Sequence, residues 1–295
     1  MNRTLTLSRT SGAQSVRMGR RQRRLLLDLA SYGVLTAGAA IVLFPFFWML
    51  VTSFKPLSEV RIWPPTILPQ TFTVSNYVTI WKQYPFANFM ENGFIIASLS
   101  TVGVLVSCTL AAFALARLRF PGREVLFLVV LGTILLPYPA RMIPIFIEMS
   151  KIYWINTFKP LIVPAFFGNA YGIFLMRQFF KGIPAELMES ATIDGCTPLG
   201  VLARIYVPLS TPALTALAVV TFITSWNDLI PPLIFINDPV KMPIAVGLAF
   251  FKGQGEALWS WLMAASTLSV LPLLIVYIVA QRFIIEGMTY TGLKR

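Results

Sequence analysis

Three carboxylates, Glu186, Glu189 and Asp194, stand in a short polar stretch with Gly195, Pro198 and Pro208, between long apolar segments. Covalent chemistry is not open to them. The chain has no histidine, which removes the commonest general base and metal ligand. It has no G-x-x-x-x-G-K-[ST] loop to cradle nucleotide phosphates. What these acids can do is recognition, by offering a charged flank and small residues to another protein. No catalytic and no metal-binding residue is expected.

Local signals give this stretch a shape. Pro184 suits the first turn of a short helix, where a missing N–H does no harm, and Glu186 then lies near the positive end of the helix dipole. Ile183, Leu187 and Ala191 recur at four-residue spacing and predict an apolar stripe. Gly195 suits a left-handed C-terminal cap. Thr197-Pro198 reads as an N-cap followed by a first-turn proline, Pro208 closes the second helix, and Thr211-Pro212 restarts the chain. The expectation is an amphipathic helix–turn–helix over 184–208. It serves either as a spacer between two spans or as a knob that fits a cleft on a soluble partner.

The elements that must position this hairpin are apolar. Of the 295 residues 56% are hydrophobic and 12% charged, with mean hydropathy +0.72, against roughly a quarter charged in soluble domains. A membrane span takes about 20 apolar helical residues. Uncharged stretches at Leu29–Phe54, Asn92–Ala116, Ile205–Asn227 and Ala257–Gln281 meet that length, and Val125–Ala140 and Pro160–Met176 are shorter. The fold class is therefore an all-α polytopic membrane protein with six transmembrane helices. The third is expected to be kinked or broken near Pro137, Pro139 and Pro144.

The net charge of +12 could suggest nucleic acid, but its distribution points to a membrane. Arg3, Arg9, Arg17, Arg20, Arg21, Arg23 and Arg24 precede the first span. The positive-inside rule makes residues 1–24 a cytoplasmic tail, available to anionic lipid, and residues 25–295 the transmembrane domain. All seven tryptophans then fall in outer loops or at outer span ends. The apolar run is too long for a cleavable signal. Cys108 inside a span and Cys196 on the inner side predict no disulfide.

Glu189-Ser190-Ala191, then Asp194-Gly195, then Ile205 and Val207-Pro208 resemble the EAA signature of ABC importer permeases, with Ser190 for the middle alanine and Val207 for leucine. "SWNDLIPPLIF" (225–235), "LARLRFPGRE" (115–124) and residues 262–295 resemble the carbohydrate-uptake branch, the maltose-type permeases. The resemblance implies a type I importer permease fold. In it the EAA loop is a coupling helix, so Glu189, Ser190, Ala191, Asp194 and Gly195 would meet an ATPase. It implies a cytoplasmic tail over 282–295 in which Gly287, Thr291, Gly292 and Lys294 reach between the ATPase subunits; this tail ends Lys-Arg where relatives often end Lys-Gly. A loop of Gly253, Gln254, Gly255 and Glu256 would enter the binding protein, or be only a polar turn.

Asn169, Trp226, Asn227 and Asp228 are pathway candidates, since intramembrane polar residues usually face a cavity. Interfacial anchoring by Trp226, capping by Asn227 or Asp228, and an interhelical hydrogen bond from Asn169 are the alternatives. The partners implied are a second homologous permease, two ATP-binding subunits using ATP and Mg, an extracytoplasmic binding protein and membrane lipid, with no nucleic acid. The setting implied is the bacterial or archaeal cytoplasmic membrane, both termini inside. The cargo would be a sugar, or alternatively a glycerol phosphodiester or polyol phosphate. Arg141 is the one basic candidate for such an anion path. An ion-coupled carrier would need acids paired mid-membrane, and an intramembrane enzyme histidine or paired acids; neither pattern occurs.

Overall fold

The computed structural model describes residues 20–253 and 258–292. Among them every regular element is helical. The chain divides into two units, residues 1–48 and 49–295. The first holds most of α1 (Arg20–Ser53), whose segment Leu27–Ser53 is long and apolar enough to cross a membrane and contains Pro45.

The second unit opens with α2 (Leu57–Val60) and α3 (Ser75–Gln83), which frame a polar segment. Of its long helices, α4 (Phe86–Arg117), 32 residues, has no proline inside. A core cluster forms at each end of α4. Toward Phe86, Phe89 and Trp226 pack with Ile244 and Phe251; toward Arg117, Phe113 packs with Met176, Phe180 and Tyr206. Within a bilayer such clusters stabilise by close van der Waals packing rather than by leaving water. Neighbours approach α4 closely through glycine: a Cβ on Gly172 would lie 2.7 Å from the Cys108 sulfur, and one on Gly247 2.3 Å from the Phe89 ring. Small residues at helix contacts are the usual device for packing in a membrane.

Among the described residues four helical segments are long and apolar enough to span, or six if two bent pairs each count as one. The first pair is α5 (Arg123–Gly132) with its 3₁₀ turn, then α6 (Tyr138–Lys151), turned by 100°. Pro137 and Pro139 cause the break expected there, because each can open a helix and neither can continue one. The fourth expected span, Pro160–Met176, falls within Lys159–Gly182, which is long and apolar enough to cross a membrane, but its helix is interrupted. It comprises α7 (Lys159–Ile162), a 3₁₀ segment Val163–Phe167, Gly168 at φ +82°, and α8 (Ala170–Gly182).

The fifth expected span, Ile205–Asn227, also needs correction. The hairpin follows α8 as α9 (Glu186–Ile193) and α10 (Pro198–Val201), a π turn Leu202–Tyr206 and α11 (Val207–Leu209). The chain then bends by 80° into α12 (Thr211–Trp226). Pro208 has no N–H for the carbonyl one turn back, and the Val207 N–H reaches Leu202 O in π register. Pro212 likewise cannot serve Pro208 O, and the Thr211 hydroxyl donates to it at 2.8 Å instead. After α12 come α13 (Ile230–Phe235), α14 (Ile244–Gly253) and α15 (Trp259–Gly292). The last expected span thus continues as backbone helix through Gly287, Thr291 and Gly292.

Candidate functional site

The hairpin turn is a Schellman cap. Gly195 sits at φ +79° and donates to Thr192 O at 3.0 Å, while the Cys196 N–H reaches Ala191 O at 2.9 Å. These are the two bonds the motif requires, and only glycine adopts that φ without strain. Thr197 caps α10, its hydroxyl accepting from the Gly200 N–H at 3.2 Å. The expected stripe is only partly realised. Ile183 and Ala191 are buried, but Leu187 is 41% exposed, because Ile183 belongs to the end of α8 and α9 starts only at Glu186. The buried face is completed from the second arm by Val201, Leu202 and Tyr206.

Outward, the hairpin carries Ile193 at 87% and Leu199 at 66% exposure, beside exposed Glu186, Glu189 and Asp194. Ser190 is exposed too, its hydroxyl returned to Glu186 O at 2.8 Å. Apolar tips on a polar knob are what a protein groove recognises. A cleft of about 630 Å³ runs between Ala185, Met188, Glu189, Thr192 and Ile193 on one side and residues 116–119 and Arg123 on the other.

Beneath the knob lies a rigid floor. Phe113, Phe180 and Tyr206 meet edge to face at 5.1–6.3 Å between centroids. Arg117, in the last turn of α4, donates to Phe180 O and Ile183 O at the end of α8 and lies 5.4 Å from the Tyr206 ring. Arg177 of α8 is buried; it donates to Leu115 O at 3.1 Å, forks onto Glu124 at 2.6 and 2.7 Å, and sits 3.8 Å over Phe127. Arg123 donates to Leu118 O at 3.1 Å and to Glu124. These arginines tie α4, α5, α8 and the hairpin together. Sequence reasoning missed them, although Arg177 within the apolar run FLMRQFF was a visible signal.

The pathway candidates separate in space. Asn169 does not stand midway along a helix and makes no interhelical bond with its carboxamide oxygen; it caps α8, accepting from the Gly172 N–H at 2.7 Å. With Arg141 it lines a cavity of about 500 Å³. Trp226 is not an interfacial anchor. It is 3% exposed, stacks on Phe222 at 5.9 Å and donates from Nε1 to Ser269 O at 3.2 Å. Asn227 is exposed and turns back on Ile223 O at 2.8 Å. Of these three neighbours, Asp228 is the one that faces a cavity. Gln254, Gly255, Glu256 and Lys294 lie outside the described residues, and Gly253 ends α14.

Apolar helices long enough to cross a membrane, with a buttressed polar hairpin between two of them, are the build of a membrane permease. The chain belongs to the family described as binding-protein-dependent transport system inner membrane component, which matches residues 103–290. It is 34% identical over 260 residues to the trehalose/maltose transport system permease protein MalG of Thermococcus litoralis, covering 87% of this chain and 93% of that one. It is also 34% identical over 270 residues to the sn-glycerol-3-phosphate transport system permease protein UgpE of Salmonella typhi, covering 89% and 96%. In fold it matches a chain of a bacterial ABC transporter that imports the acidic polysaccharide alginate, with TM-score 0.75 and 24% identity over 90% of this chain and 98% of that one.

Proposed function

We propose that this chain is one half of the pore of a binding-protein-dependent ABC importer and that its cargo is a sugar. The observation that carries the docking role is the hairpin: a knob braced from behind by Arg117 and Tyr206, with Ile193 and Leu199 left exposed in front. Glu189, Ser190, Ala191, Asp194 and Gly195 then form the coupling site, which enters a groove of an ATP-binding subunit. Two such subunits, using ATP and Mg, close together and draw the hairpins of this chain and a second permease inward. That motion opens the opposite side to an extracytoplasmic binding protein. Residues 253–256 contact that protein, and Gly287, Thr291, Gly292 and Lys294 contact the ATPases. The arginine tail 1–24 and the end of the chain lie in the cytoplasm.

Sugar cargo is supported by the trehalose/maltose relative and by the alginate transporter that shares the fold. The glycerol-phosphate relative, equally identical, supports a second reading, import of a polyol phosphate, with Arg141 beside its cavity as the basic group. Affinity purification in mild detergent from cells expressing the whole system tests the docking role. Wild type should bring down an ATPase and a second permease. Ile193→Asp removes an apolar contact of about 1.5–3 kcal/mol, roughly 10- to 100-fold in affinity, and should lose the ATPase while keeping the permease. A chain recovered alone, or an unaffected variant, defeats the proposal.

A further inference from the structure

The cavity that Asp228 faces has an uncommon lining. It holds about 200 Å³, less than the roughly 300–1,000 Å³ of a whole-ligand pocket, so it receives one edge of a larger cargo. Its walls include Pro160 and Pro164, and Pro232 of α13. Proline has no backbone N–H, so these walls are smooth and poor in donors. Polar side chains reach it from α6 (Tyr138), from the last turn of α12 (Ser225) and from Asp228 just beyond.

Two of those groups are unspent. The Tyr138 hydroxyl is buried with no hydrogen-bond partner among the described residues. The half-buried Asp228 carboxylate likewise makes no hydrogen bond or ion pair among them. Buried polar groups are normally satisfied, and an orphaned one costs about 1–3 kcal/mol; the phenol carries that cost, and with the Asp228 carboxylate on the same cavity an entering hydroxyl would answer both. No cation lines the cavity. Arg141, three residues from Tyr138, lines the neighbouring cavity with Asn169 instead, although its charge and that of Asp228 both act on the phenol.

We propose that Tyr138, Ser225 and Asp228 form a hydroxyl-binding pole for a neutral polyol edge, and that this pole discriminates against anionic cargo. A carboxylate accepts from hydroxyl donors, the phenol and serine both donate and accept, and the ring offers an apolar face to sugar C–H groups. A phosphate or uronate would meet the Asp228 carboxylate with no cation among the described lining residues to offset it. The inference rests on the importer reading and deepens it by separating the two cargo classes.

The test uses the complete importer in proteoliposomes, with its binding protein and labelled maltose, trehalose, arabinotriose and sn-glycerol 3-phosphate as probes. For the neutral sugar that wild type takes up, Asp228→Asn should raise KM about tenfold while kcat falls less than threefold. Its preference for neutral sugar over glycerol phosphate should fall at least fivefold. Tyr138→Phe, a conservative change that guards against misassembly of the first variant, should raise KM about threefold. Both KM values within twofold of wild type, with a neutral sugar still imported, would overturn the pole and leave the importer reading standing. Wild type preferring glycerol phosphate would overturn the pole and the sugar reading together.

Discussion

The two ends of α4 carry polar segments that solve opposite problems. At the Phe86 end, residues 54–76 close on themselves. Asn76 Nδ2 donates to Ser53 O and Lys55 O, both at 2.8 Å, and buried Lys55 donates to Thr66 O. Buried Glu59 accepts from the Thr66 hydroxyl at 2.7 Å and from the Gln70 and Thr71 N–H groups at 2.9 and 3.3 Å. The loop before α14 is tied in similarly, by Asn92 to Val240 O and Met242 O. At the Arg117 end, the hairpin is fastened only from behind and leaves isoleucine and leucine in the open. Both ends leave apolar side chains in the open, Trp63 at 87% and Phe72 at 67% at the first; the difference is that the first end seals its buried charges and amides within its own segment.

The sharpest way to break this contrast is at the turn. Gly195→Asp places a side chain at φ +79°, where nothing obstructs a Cβ, so the strain stays local. Uptake and binding-protein-stimulated ATP hydrolysis should fall at least tenfold, with membrane insertion unchanged by fractionation. Normal coupling in that variant would remove the turn from the docking role.

Arg117→Ala acts behind the knob. It orphans the Ile183 carbonyl, at about 1–3 kcal/mol for a buried acceptor, and takes one of two donors from Phe180 O, which keeps the Ile183 N–H. Thermal melting in detergent should show a loss of about 2 kcal/mol, and a loss below about 0.5 would mean that the floor is not held by this residue.

The smallest effect is expected at the self-contained end. Burial opposes the charge of Glu59, but the bonds from Gln70, Thr66 and Thr71, with Lys55 close by, outweigh it and hold the carboxyl below its ordinary 4.5. Its contribution is therefore complete above the unfolded value and is lost as pH falls through the lower folded one. Glu59→Gln should lower stability by about 1 kcal/mol at neutral pH. The melting curves of variant and wild type should converge as the medium is acidified below that ordinary value; a constant gap would exclude the carboxylate as the cause.

What could be read from the sequence was local. Gly195, Thr197-Pro198 and Pro137 act on the backbone within a turn of themselves, and the cap, the N-cap and the break follow. Span ends read from hydropathy failed wherever backbone chemistry intervened. Ile205 is apolar enough for a span, yet Pro208 and Pro212 move the start of α12 to Thr211. Asn169 looked like a polar group in mid-membrane because nothing in hydropathy shows that Gly168 has already ended the preceding turn. The arginine floor was hidden for a different reason: Arg177 and Glu124 are 53 positions apart, and such pairings exist only once α5 and α8 are packed. The same holds for Tyr138 and Asp228.

One property of α4 has mechanical weight. Among the described residues every other candidate span carries a proline or an interruption: Pro45 in α1, the corners beside α5 and α12, the 3₁₀ segment and Gly168 before α8, and Pro272 in α15. These are joints, whereas α4 is a beam. From Ile96, on the wall of the Asp228 cavity, to Arg117 beneath the hairpin is 21 residues, roughly 32 Å at 1.5 Å per residue. A push on the knob would be felt at the Asp228 cavity through a helix with no proline between them, while the interrupted helices packed on α4 within residues 49–295 bend.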